Sequence, residues 1–144
     1  MQAIRSFLIV LFMAVASTAV AQQTISISEL VNTKWRVENN WISDYKEYTL
    51  TEIIWKRKDG SFFKSPYYLT DTPVTSYDKS VFDYSKVGKT KKGSYMVSIN
   101  EKMGIVYCSS IESFDKKKGV LVIKVVTQGL IGASGAIERY KLVK

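Results

Sequence analysis

Chemistry at a protein site needs a positioned base, nucleophile or metal, and this chain offers few side chains for any of them. It has no histidine and a single cysteine, Cys108. A Ser-His-Asp arrangement, an imidazole metal site and an intrachain disulfide are therefore excluded. Burial is the expected fate of the lone thiol, which then behaves as a small apolar side chain. A reactive thiol would need a neighbouring base, and no imidazole can serve. The carboxylates that remain are mainly Asp44, Glu47, Glu52, Asp71, Asp78, Asp83, Glu101, Glu112, Asp115 and Glu138, and no two of them recur in a catalytic motif. Glu47 and Glu52 are five apart and take opposite faces of a strand. Glu52, within an apolar stretch, is the one candidate for an inward carboxylate, although an outward position suits it better. The segment from Gly129 to Gly135 lacks the Lys-Ser/Thr end of a phosphate loop, and nothing resembles a calcium loop. The chain reads as a non-enzyme without a cofactor or metal.

Charge and the opening residues bear on partners and compartment. The 144 residues carry 21 Lys+Arg against 13 Asp+Glu, a formal charge of +8, which suits an anionic partner without requiring one. Arg5, the apolar run from Phe7 to Ala16 and the small-residue site Ala19-Val20-Ala21 together read as a secretory signal peptide over residues 1–21. The apolar run is interrupted by Ser17 and Thr18 and falls short of the roughly 20 residues a transmembrane anchor needs. Residues 22–144 then form a single domain, soluble, and periplasmic or extracellular. In that compartment nucleic acid is not a natural target.

The elements that would position any site are strands. Ser28 caps a short helical turn reaching Asn32, and β-branched and aromatic residues dominate after it. The expected strands are Lys34 to Asn39, Tyr45 to Arg57, Ser61 to Leu69, a weak one near Val81 to Tyr84, Gly93 to Asn100, Ile105 to Phe114, Val120 to Thr127, and Ala136 to Val143. Asp59-Gly60 is a two-residue hairpin signal. Gly104 and Gly119 close two further turns. Consecutive hairpins with no long crossover predict an all-β, antiparallel up-and-down meander of about eight strands, closed into a barrel. Closure removes the edges such strands would expose. A barrel of this size is filled by side chains or holds one small ligand.

The run Leu30-Val31-Asn32-Thr33-Lys34-Trp35-Arg36-Val37, with the Ser65–Leu69 and Phe82–Lys89 stretches, resembles the small secreted lipocalin-like (calycin) domains of bacteria. Thr33 stands where that family has glycine. The resemblance implies that Trp35 closes one end of the barrel against an arginine of the last strand, here Arg139. Read without the resemblance, Trp35 is a core aromatic and Arg139 a solvated strand residue.

In such a meander the loops alternate between two ends. Lys56-Arg57-Lys58, Lys89 to Lys92 and Lys116-Lys117-Lys118 are expected to share one rim. Trp41, Ile42, Met103, Leu130 and Ile131 fall at the other end, which the lipocalin-like resemblance implies is the open mouth. Tyr67, Tyr95 and Tyr107 are wall candidates that could offer a hydroxyl to a ligand. These positions point to a protein that binds a small, largely apolar molecule. If the same side chains plug the barrel, the chain is instead an interaction or inhibitor protein. It would then engage an acidic protein or glycan at the basic rim. Lysines at hairpin tips also serve solubility alone.

Overall fold

The structure is a computed structural model and describes residues 22–38 and 44–144. Ile25–Ser26 (β1) pairs with Lys92–Gly93 (β6) as a two-residue ribbon outside the main sheet. The main sheet runs Thr33–Val37 (β2), Tyr45–Tyr48 (β3), Glu52–Lys56 (β4), Phe62–Thr70 (β5), Tyr95–Asn100 (β7), Ile105–Asp115 (β8), Val120–Val125 (β9) and Ile137–Val143 (β10). Each strand pairs antiparallel with the next, and β10 returns to β2 to seal the barrel. The expected all-β, eight-stranded closed meander is what the structure shows.

Two strand expectations are corrected, and their errors cancel in the count. Tyr45–Arg57 is not one strand: it breaks into β3 and β4 at a tight turn. There the Thr49 N–H donates to the Glu52 carbonyl at 2.9 Å and the Thr49 hydroxyl accepts from the Glu52 N–H at 2.9 Å. The weak strand near Val81 is absent. Residues 71–91 instead form a strap with two single 3-10 turns, Lys79–Val81 and Tyr84–Lys86. Each turn is capped by an aspartate: Asp78 accepts from the Ser80 N–H at 2.8 Å, and Asp83 from the Ser85 N–H at 3.1 Å.

The helical turn begins slightly earlier than expected, at Ile27–Leu30 (α1), and the Glu29 carboxylate accepts from the Ser26 N–H at 3.1 Å. Asn32 ends it in the left-handed region, φ 64°, which asparagine tolerates better than most residues. Ile25, Ile27 and Leu30 bury themselves beneath Trp35 and its neighbours and close that end of the barrel. We call it the helix end and the opposite one the far end.

Strand alternation sorts side chains into two cores. Inside lie Trp35, Tyr48, Ile53, Tyr67, Leu69, Met96, Ile111, Leu121, Ile123 and Tyr140. Outside, on β5, β7 and β8, a second cluster of Tyr68, Val97, Ile99, Val106 and Cys108 is covered by the strap through Phe82, Val74, Val81 and Val87. Cys108 is buried there, as expected, and accepts from the Val74 N–H at 3.4 Å. Burial pushes its thiol pKa up.

Candidate functional site

Trp35 illustrates how the helix end is built. Its indole N–H donates to the Thr33 hydroxyl at 2.8 Å, and that hydroxyl donates to the Leu30 carbonyl. Thr33, at the position where the resemblance has glycine, thus ties the barrel tryptophan to the end of α1. The ring lies 5.9 Å from Phe114. Directly opposite Trp35 on β10 is Leu142. Arg139 has the parity of Lys141 and lies exposed on the outer wall. The expected Trp35–Arg139 pair is therefore not formed, because strand alternation sends the two side chains to opposite faces.

A cation does sit on aromatic faces inside the barrel, and it is Lys46. Lys46 pairs across the sheet with Trp35 on one side and Trp55 on the other, so the inward parity of the tryptophans carries it inward too. It is 1% exposed. Its Nζ lies 3.9 Å from the Tyr140 ring centroid and 5.0 Å from each of Tyr48 and Trp55. Such contacts compensate part of the lost hydration of an ammonium. Burial lowers its pKa to about 8, opposed by the Glu138 carboxylate, which favours the charged form. Glu138 in turn accepts from the Tyr140 hydroxyl. Burial raises the pKa of Tyr48 and Tyr140 well above the tyrosine range, and Glu138 adds to both. Tyr48 donates to the Met96 sulfur at 3.5 Å, and Tyr67 to the Thr49 carbonyl at 2.7 Å.

Of this constellation the sequence points to Tyr67 as a wall residue and to Glu138 among the carboxylates, but not to Lys46, Tyr48 or Tyr140. The local run Tyr45-Lys46-Glu47-Tyr48 reads as well with the lysine outside as inside. Glu138 supplies the partly buried inward carboxylate. Glu52 lies on the outer face, since Ile53 beside it points in.

The expected ligand residues scatter. Tyr67 is fully buried in the interior core. Tyr107 has inward parity through its pairing with Ser98, which faces Tyr67, and is half-buried. Tyr95 is not a wall residue of the interior. It packs on the outer cluster, and its hydroxyl reaches the Gln22 side-chain carbonyl at 3.5 Å. Met103, Leu130 and Ile131 share the far end in the β7–β8 and β9–β10 connections: Met103 and Ile131 are exposed, and Leu130 is half-buried. Trp41 and Ile42 lie outside the described residues. The basic clusters do not converge on one rim. Splitting β3 from β4 and losing the strap strand puts Lys56–Lys58 at the far end, whereas Lys89–Lys92 and Lys116–Lys118 sit at the helix end.

One concavity opens on the outer wall and another at the helix end. The first, about 390 Å³, is lined by Ile54, Lys56, Arg57, Gly60, Phe62 and Lys64. The other, about 310 Å³, is lined by Asn32, Thr33, Lys34, Glu47, Tyr48 and Thr49. Among the described residues no group of three or more His, Cys, Asp or Glu is placed to hold a metal ion. No described helix is long and apolar enough to cross a membrane. Comparison with known proteins gives no match to a family, to a curated protein or to a solved structure.

Proposed function

We propose that this chain is a secreted, non-catalytic barrel of lipocalin-like type that works through its outer surface, as an interaction or inhibitor protein for an acidic partner. The observation that carries this reading is the occupancy of the barrel axis by the protein's own side chains. Trp35, Lys46, Tyr48, Tyr67 and Tyr140 meet there, each at most 1% exposed. Among the described residues Lys46 is the one amine with a strongly lowered pKa, and the rings that hold it also bar a substrate from reaching it. The net charge of +8 supplies attraction for an acidic partner. Secretion rests on the character of residues 1–21.

A second reading, the carrier of a small apolar ligand, is favoured by the exposed Met103 and Ile131 at the far end. Native mass spectrometry of the secreted protein, joined to affinity capture at low and moderate salt, separates the two. The surface reading expects an unliganded mass and a captured acidic partner whose retention weakens with salt. A lipophilic molecule co-purifying in stoichiometric amount overturns it in favour of the carrier.

A further inference from the structure

The strap covers the outer face of β5, β7 and β8, which leaves the wall of β10, β2, β3, β4 and upper β5 available to a partner. Register fixes what this wall presents. One row crosses the five strands as Lys141, Arg36, Tyr45, Lys56 and Phe62, each opposite the next. The adjacent row reads Val143, Lys34, Glu47, Ile54 and Lys64. With strands about 4.8 Å apart, each row spans about 19 Å. Within these rows five cations face a single carboxylate. Glu47 is held between Lys56 at 3.0 Å and Lys34 at 3.9 Å. Lys34 also lies 4.6 Å from the Tyr45 ring centroid. The acidic neighbours at the margins are Glu38, paired with Lys141 at 3.2 Å, Asp44, paired with Lys58 at 3.8 Å, and Glu52 toward the helix end.

Lys141 stands directly opposite Arg36. Glu38 offsets this like-charged cross-strand pair from the Lys141 side, and an anion would add a contact to Arg36. Phe62 is 62% exposed and forms part of the larger concavity with Lys56, Arg57 and Lys64. The second concavity lies at the helix-end margin of this wall, beside Lys34 and Glu47.

We propose that this wall binds a linear anionic polysaccharide laid across the strands, its charged groups on Arg36, Lys56, Lys64 and Lys141 and its ring faces on Tyr45 and Phe62. This proposal rests on the surface reading above and gives its partner a chemical class. Charge complementarity selects an anion. The wall's apolar residues are few: Tyr45 lies between Arg36 and Lys56, Phe62 beside Lys56, and Ile54 between Glu47 and Lys64. A protein partner draws its affinity from a contiguous desolvated centre with buried anchors, which this wall does not offer. A polymer whose every unit is part ring and part charge matches the alternation.

The test measures binding of the mature protein to immobilised heparin oligosaccharides and, separately, to polygalacturonate, so that sulfated and carboxylated sources are told apart. R36Q/K56Q/K64Q is compared with K116Q/K117Q/K118Q, which removes the same charge from the β8–β9 turn. The expected result is binding to at least one polymer, weakened about tenfold by the wall variant and less than about twofold by the turn variant. F62A should weaken binding without changing its salt dependence. Matching melting temperatures confirm that the variants are folded. Equal losses in the two triple variants would mean attraction by net charge alone and overturn the proposal. Binding of neither polymer, with an acidic protein or single-stranded DNA captured through the same residues, also overturns the polysaccharide while leaving the surface reading standing. A lipophilic ligand inside the barrel would instead remove the reading on which the proposal rests.

Discussion

Lys46 costs the fold stability for as long as it is charged. Its pKa is lowered to about 8 by burial against the Glu138 attraction, whereas an unfolded lysine titrates near 10.4. Between those values the unfolded chain holds a proton that the native state has released, so stability rises with pH. The gain approaches about 3 kcal/mol. Above about pH 10 the trend reverses, because unfolded tyrosines ionise there while the raised pKa values of Tyr48 and Tyr140 keep their native hydroxyls protonated. The raised pKa of the buried Cys108 thiol acts the other way once unfolded cysteine ionises at about pH 8.5. Urea unfolding from pH 7 to 11 should therefore show stability rising up to about pH 8.5, levelling, and falling above about pH 10. Lys46→Met should flatten the rise and add about 1–3 kcal/mol at pH 7, as replacing a buried charge with an apolar side chain of similar length often does. A pH profile unchanged by that substitution would refute the assignment. Thr33 is the second residue whose role depends on a specific contact. Thr33→Val strands the Trp35 indole N–H and the Leu30 carbonyl, and should cost about 1–3 kcal/mol in the same assay. Neither role was legible beforehand. A lysine in an alternating polar-aromatic strand has no intrinsic face, and Thr33 stood out only as a departure from glycine.

At the scale of elements, most strand positions were legible because β-branched and aromatic runs are punctuated by Gly60, Gly104 and Gly119, all at positive φ. What escaped notice was punctuation made by side chains. The β3–β4 turn contains neither glycine nor proline. The Thr49 hydroxyl makes it, by a local bond to the backbone that competes with strand continuation. The strap is written in the repeated Asp-x-Ser of Asp78 to Ser80 and Asp83 to Ser85, an Asx-turn signal overlooked beneath the β-forming Val81 and Phe82. With Tyr45–Arg57 split in two and no strand at Val81 the total stays at eight, but the β4–β5 hairpin moves to the far end and carries Lys56–Lys58 away from the other basic clusters. Phe82 anchors the strap, 5.1 Å from Tyr68 and 4.8 Å from Tyr84. Phe82→Ala should cost about 3–5 kcal/mol if the strap unfolds with the barrel. If the strap opens locally, the cost at the barrel is smaller and Cys108 becomes reactive. Thiol labelling under native conditions measures this: the wild-type thiol should resist, and the variant should label at least several times faster. Equal labelling rates would show that the strap does not shield Cys108.

For the whole molecule, the ion pairs Lys34–Glu47, Lys56–Glu47, Lys58–Asp44 and Lys141–Glu38 are partly or largely exposed and contribute little. Like-charge repulsion across a chain of net +8 acts over longer distances. Raising ionic strength from about 0.01 to 0.15 M shortens the screening length from about 30 to 8 Å and should raise the melting temperature. A fall would mean that the local pairs outweigh the repulsion. The seam between β10 and β2 brings Val143 opposite Lys34 and Tyr140 opposite Val37, contacts between strands far apart in the chain. Contacts of such separation are slow to form, because the intervening loop must close before they reward it. A chain that leaves its ribosome, or a membrane pore, N-terminus first has β2 to β9 in hand while β2 and β9 still present unpaired backbone. Sealing must wait for the arrival of β10. The interval before that arrival is when this protein is most open to aggregation or to a chaperone, and a truncation that removes β10 would make the interval permanent.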